Sequence, residues 1–301
     1  MPFNAESITT IIKEGLPALE ILAGSKAAAM FIEKVSGALG WYLEPKQTIR
    51  KARAEAVASV IKAESDQEVK SLSERAVARI IHEETGHQQN MEAIVLSALP
   101  GIKEDAKPND IDDDWMANFF NKSRNISNEE MQKLWAQILA GEANEPGSYS
   151  HRTVNFLASM TKYDAEVFRK FATYIWRIDG SGSVAIIFND MMPGKALPNA
   201  PYSSLLYLSE LGVIGINNNV NGLTLEATGK KVIYNGRAVT VEEHQMPGTK
   251  RLGFPVGNIV LSNIGKELFK ICEPTADWDY YDKVLARWEK GQHPVIRQMN
   301  E

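Results

Sequence analysis

His82-Glu83-Glu84-Thr85-Gly86-His87 comes closest to a catalytic set of residue types. Two imidazoles around a carboxylate suit a zinc hydrolase, with the histidines holding the metal and the glutamate acting as base. That chemistry needs the histidines four residues apart, on one helical face. Here they are five apart, about 140° round a helix, and Gly86 weakens helix at that point. The stretch therefore reads as solvated helix polars. Asp110, Asp112 and Asp114 have the alternate spacing of a calcium loop. The position that needs glycine is Trp115, and the closing bidentate glutamate is replaced by Asn121, so the pattern fails. An acidic linker leading into a helix N-terminus is the simpler reading. Gly180-Ser181-Gly182-Ser183 precedes a strand and lacks a following Lys-Ser/Thr, so it reads as a turn and not as a phosphate cradle. Cys272, His151, His244 and His293 are scattered and pair no nucleophile with a base. No catalytic, cofactor-binding or metal-ligating residue is expected, and the chain reads as non-enzymatic.

The totals narrow the classes further. The chain has 301 residues, enough for two or three compact units, with 44% hydrophobic and 24% charged residues, as in globular proteins. A net charge of -5 disfavours bulk nucleic-acid affinity. Cys272 is the sole cysteine, so no internal disulfide forms and a reducing cytoplasm is the expected home.

Residues 8–43 are the most unusual part of the chain: rich in Ile, Leu and Ala, ending at Trp41-Tyr42 and followed by Glu44-Pro45. So apolar a segment needs a cover. A lone membrane span over residues 16–32 would be about 25 Å long, short of a ~30 Å hydrocarbon core. It would place Glu20 and Lys26 near its centre, each costing about 2.5–3.5 kcal/mol, while each apolar residue returns only about 0.3–0.6 kcal/mol. A single span therefore loses. Two covers remain: protein, with short helices broken at Pro17 and Gly24-Ser25, or a bilayer entered only as an assembly. Residues Ile11, Ile12, Leu16, Leu19, Ile21, Leu22, Met30, Phe31, Trp41 and Tyr42 are the expected membrane or assembly surface.

Downstream, the expected fold class is mainly α with a C-terminal α+β part. The expected domains are 1–44 (apolar helical segment), 45–100 (long amphipathic arm), 101–114 (acidic linker), 115–178 (compact helical domain) and 179–301 (winged-helix-like α+β domain). In the arm, Ile49, Ala52, Ala56 and Val60, then Val69, Leu72, Ala76 and Ile80 recur at steps of three and four, marking one helical face. The opposite face carries both charge signs, as in coiled-coil helices. The helical domain should be filled by Trp115, Phe119, Trp135 and Leu139, with Phe120, Leu134, Ile138, Phe156, Leu157 and Phe168 around them. Ser127 with Glu130 and Thr161 with Asp164 read as capping boxes. After Gly180, strand patterns alternate with helices, and Asn235-Gly236 predicts a hairpin turn. The order helix, Leu-Gly-Val-Ile, strand, then LSNIGKEL resembles a winged-helix module. Residues 201–301 hold eleven Lys/Arg and eleven Asp/Glu, so that module is expected to bind protein and not DNA.

The run LWAQILAGE followed by PGSYS, within residues 110–160, resembles the core of a bacterial domain-of-unknown-function family, and YLEPKQTIRKARAEA (42–56) extends the likeness upstream. More loosely, the layout resembles ring-sensing, pore-forming phage-defence proteins. The resemblance implies a self-assembling effector that disrupts or pores the inner membrane when a phage or other protein triggers it. Its partners would be copies of itself, the trigger and membrane lipids. A soluble oligomeric adaptor and a winged-helix transcriptional regulator are the other two readings.

Overall fold

The computed structural model describes residues 25–38, 67–180, 182–188, 197, 199–217, 223–225, 231–241, 244–245, 252–290 and 295–297. They are mainly helical, with small antiparallel sheets in the C-terminal half. The chain divides into two units, Met1–Ser159 and Met160–Glu301.

The first unit is helical. Its first described helix, α1, covers residues 26–38. Ser25 starts it: its Oγ accepts from the Ala28 amide at 3.1 Å, satisfying one of the free N–H groups of a first turn. Helix α2 (Gln67–Ala98) is built from Ala, Glu, Arg and Gln and lies along α4 (Glu129–Asn144). Helix α3 (Asp113–Ser123) packs on α5 (His151–Ser159). Asp112 caps α3 by accepting from the Trp115 amide at 2.8 Å. Helix α4 is capped by Asn128, which accepts from Met131 N–H, and not by Ser127 as the box pattern suggests. The helix begins at Glu129, so the residue in the cap position is Asn128, one place after Ser127.

Residues 101–114 are not a free linker. Pro108 and Ile111 are buried, Lys107 N–H donates to Ala143 O at 2.9 Å, and Asn144 bonds both Lys103 N–H and Gly101 O. The acidic composition that suggests a linker lies on its exposed side, while Pro108 and Ile111 are buried and the Pro108–Asp110 turn packs on α4.

The second unit opens with α6 (Lys162–Ala172), whose Thr161–Asp164 capping box is complete in both directions. The chain then turns at Thr173 into β1 (Ile175–Ile178), so α6 belongs with the sheet unit and not with the helical domain expected at 115–178. A five-stranded antiparallel sheet has the order β10-β6-β5-β1-β2, with β2 at Gly182–Ala185, β5 at Lys231–Tyr234, β6 at Arg237–Val241 and β10 at Val295–Arg297. The β5–β6 turn is Asn235-Gly236, with φ of 43° and 86°, the left-handed pair that tight hairpins require.

Helix α7 (Tyr202–Glu210) leads into β3 (Ile214–Ile216), which pairs antiparallel with β9 (Ile259–Leu261). Short strands β4 (Leu223–Leu225), β7 (His244–Gln245) and β8 (Leu252–Gly257) form a third sheet. Ser262 caps α8 (Asn263–Phe269) and also bonds Val213 O, tying the α7–β3 corner to the β9–α8 corner. Helix α9 (Trp278–Lys290) carries the aromatic residues that face the sheet.

Candidate functional site

Three constellations stand out among the described residues. The first is the face of α2. At 100° per residue, Leu72, Ala76, Ile80, Met91, Ile94 and Ala98 fall within an arc of about 100°. Met91, Ile94 and Ala98 are buried, whereas Leu72 is 60% exposed and Ile80 45%. One apolar face is thus covered at its C-terminal end and open at its N-terminal end. Ile81, also exposed at 61%, lies on a different side of the helix. Glu83 lies within the same arc and pairs i,i+4 with Arg79 at its edge, so the face is interrupted by a charge between Ile80 and Met91.

The second constellation is the core of the first unit and the loop clamped to it. Trp115, Phe119, Trp135 and Leu139 are all buried, and three of them touch ring to ring: Trp115 stacks on Phe119 at 5.1 Å, and Trp135 meets Phe119 edge-on at 5.0 Å. Phe120, Ile138 and Leu157 are buried too, while Leu134 and Phe156 are half-buried; Phe168, expected in this core, is buried on α6 in the second unit instead. Glu142 is buried at the end of α4, and its carboxylate accepts from Gly147 N–H at 2.6 Å and Tyr149 N–H at 2.9 Å. Trp115 Nε1 donates to Tyr149 O at 2.7 Å. The Tyr149 ring lies against Gly141, where an added Cβ would sit 2.6 Å from a ring carbon. Gly147 takes φ +85°, which closes the loop after Pro146. The LAGE…PGSYS run is therefore a structural clasp: a small residue for the ring, a carboxylate for two amides and a glycine for the turn.

That clasp lies within the segment matched by a family model, which covers residues 74–285 and is described as "Protein of unknown function (DUF2806)". The chain belongs to the DUF2806 family. The match takes in most of α2, the clasp and the second unit as far as Leu285, with β10 beyond it. No curated protein and no solved structure matches the chain.

The third constellation is the aromatic cluster of the second unit. Trp176 on β1 stacks on Tyr281 of α9 at 5.5 Å and meets Trp288 edge-on at 5.5 Å, with Tyr234 of β5 against both Trp176 and Tyr281. Tyr280 is fully buried; its hydroxyl accepts from Trp176 Nε1 and donates to Ile186 O at 2.7 Å. Burial holds that phenol well above its ordinary range, and burial pushes Tyr234 up to about 12. Both stay protonated at neutral pH, so the cluster binds α9 to the sheet and offers no base. Arg237 stacks on the half-exposed Trp278 at 3.9 Å from its centroid. A cleft of about 190 Å³ beside the β5–β6 turn is lined by Thr173, Arg177, Asn235, Phe269 and Thr275 among others. That volume is below the roughly 300 Å³ at which ligand pockets begin.

The motifs weighed for chemistry fall apart in space or into structural work. His82 is exposed, and His87 lies 3.4 Å from Glu84. No group of three metal-binding side chains occurs among the described residues. Asp112 is a helix cap, and Asp113, which no motif includes, pairs with Lys34. Gly180 and Gly182, at φ +65° and +92°, make the β1–β2 turn. Burial raises the Cys272 thiol to about 11, leaving it un-ionised and unsuited to attack at neutral pH.

Of the expected membrane or assembly residues, Phe31 is fully buried and Met30 half-buried on α1. Ile11, Ile12, Leu16, Leu19, Ile21, Leu22, Trp41 and Tyr42 lie outside the described residues. No described helix is long and apolar enough to cross a membrane. Sequence reasoning missed Glu142 and the Asp164–Tyr207 pair. In that pair Tyr207 OH donates to Asp164, a contact that raises the phenol to about 12. At Asp164, burial favours the neutral acid, but donors from Tyr207 and Thr161 outweigh it and lower the carboxyl. A carboxylate ending an apolar helical run, as Glu142 does in ILAGE, was the available signal for a buried acceptor.

Proposed function

We propose that this DUF2806 protein is a self-associating interaction protein, with α2 as its assembly arm. The exposed part of the α2 face carries the reading: Leu72, Ala76 and Ile80 lie in phase with the buried Met91, Ile94 and Ala98, with Glu83, His87 and Asn90 between the two sets. A solvated helix has little reason to keep such a stripe in phase, while an oligomer interface needs it. The mixed charges beside it suit partner selection at the edge of such a seam.

The second unit fits a protein-binding role in the same scheme. Its α7–β3 and β9–α8 corners, tied through Ser262, support a winged-helix-type reading. The equal numbers of acidic and basic residues in 201–301 favour a protein partner over DNA. The exposed Trp278–Arg237 stack presents the residue types enriched at interface hot spots.

The test is the mass in solution. Light scattering of the full chain should give a defined oligomer, and Leu72→Glu with Ile80→Glu should shift it to monomer without loss of helix by circular dichroism. A full chain that is monomeric at high concentration counts against the proposal.

A second reading, a triggered membrane effector of the phage-defence kind, is favoured by the amphipathic helix α1. Ala27, Ala28, Ala29, Phe31, Ile32 and Val35 are buried while Lys26 and Glu33 are exposed. Dye release from vesicles by the full chain, compared with a chain starting at Glu44, tests it. No leakage from either in the presence of a trigger would set it aside.

A further inference from the structure

Arg177 is a fixed cation with no counter-charge among the described residues. It lies on β1 opposite Ile233 of β5, so both side chains leave the sheet on the face away from Trp176 and α9. There its guanidinium rests over the ring of the buried Phe269, 5.7 Å from the centroid, within cation–π reach. Arg177 is exposed, so the edge of the guanidinium stays open. No described carboxylate pairs with it. Asp277, which follows the adjoining loop 274–276, is turned onto the Tyr280 amide at 2.9 Å instead.

Arg177 lines the cleft of about 190 Å³ beside the β5–β6 turn. Ile175, Ile233 and Phe269 give that cleft its apolar surface, and Thr173 and Thr275 bring hydroxyl groups. Thr173 is only 3% exposed, yet its hydroxyl hydrogen-bonds to no described residue. A buried hydroxyl left without a partner costs free energy, so its opening onto the cleft points to a group that meets it there.

We propose that this cleft receives a carboxylate presented by another polypeptide, from its C-terminus or an acidic side chain, with Arg177 as the pairing cation. A guanidinium held flat on an aromatic ring is pre-organised for two-point pairing with a carboxylate. Ile175 and Ile233 then cover the carbons next to the carboxylate, which favours an acid on a short aliphatic stem over a bare anion. A volume too small for a whole ligand suits an end group whose chain continues outside. The polypeptide assignment rests on the reading of the second unit as a protein-binding module and deepens it; the carboxylate site stands without it.

Ligand-observed NMR on the full chain tests both claims with isovalerate, with acetyl-Ala-Ala-Val bearing a free C-terminus, and with acetyl-Ala-Glu-Ala amide. Isovalerate and at least one peptide should bind. Arg177→Gln should weaken that binding by about ten-fold or more, and Thr173→Val by about three-fold. Arg237→Gln should leave it unchanged, because Arg237 pairs with Tyr234 and stacks on Trp278 on the opposite face of the sheet. Binding of the free-ended peptide, lost on amidation, assigns the site to chain termini; binding of the Glu peptide assigns it to acidic side chains. Isovalerate bound through Arg177 with neither peptide bound overturns the polypeptide assignment and leaves a site for a free small acid. No probe bound at about 10 mM, or binding indifferent to Arg177→Gln, overturns the site itself.

Discussion

At the scale of single residues, the LAGE…PGSYS run is held together by Glu142. Its carboxylate is buried and accepts two amides of the following loop. Glu142→Gln keeps the size but turns one acceptor oxygen into a donor facing an N–H. The expected cost is about 2–4 kcal/mol, from the weakened charged hydrogen bond and the clash of donors, read by urea denaturation. Gly141→Ala presses a methyl into the Tyr149 ring and should cost about 1–3 kcal/mol, with the loss relieved by Tyr149→Leu. The phenols set an alkaline limit. Tyr234 ionises at about 12 when folded against 10.0 ordinarily, so the folded state holds its proton more tightly than the unfolded chain. The resulting stability is complete below pH 10 and is lost as the pH climbs towards 12. Absorbance titration at 295 nm should show this ionisation coinciding with loss of near-ultraviolet dichroism.

At the scale of elements, α2 makes a direct comparison, because covered and open residues share one face. Ile94→Ala should cost about 2–4 kcal/mol, whereas Leu72→Ala should change monomer stability by under about 0.5 kcal/mol. Thermal melts of the dissociated protein would check both. The parts of the fold legible in the sequence were those set locally. The Asn235-Gly236 turn depends on two adjacent residues, and the Thr161–Asp164 box on four, so each could be read without knowing the rest. Elements decided by distant partners were less legible. Residues 101–114 look like a linker until Pro108 and Ile111 are buried and the Pro108–Asp110 turn meets α4, and the helical domain expected at 115–178 ends early because Ile175 and Trp176 pair with β2. The candidate site divides in the same way. The α2 stripe was visible as a period, but only packing shows which half is open. The clasp was visible as a motif, but its role needed the loop amides to come back to Glu142.

At the scale of the molecule, the chain forms two compact units, and the first of them carries α2 with its partly uncovered face. The units explain most of the aromatic and buried polar residues as cement: Trp115–Phe119–Trp135 in one, and Trp176–Tyr234–Tyr281–Trp288 in the other. On the first unit, the exposed large apolar side chains among the described residues are Leu72, Ile80 and Ile81 of α2. Those residues are the reason to expect copies of the chain to meet. If the second unit acts as a protein-binding module, its charge balance predicts no salt-dependent DNA binding, and a gel shift at low salt that moved DNA would redirect the assignment. The central claim is self-association through α2, and light scattering of the full chain beside the Leu72→Glu/Ile80→Glu variant tests it most directly. The account predicts a defined oligomer that falls to a folded monomer in the variant; a monomeric full chain, or a variant with unchanged mass, would contradict it.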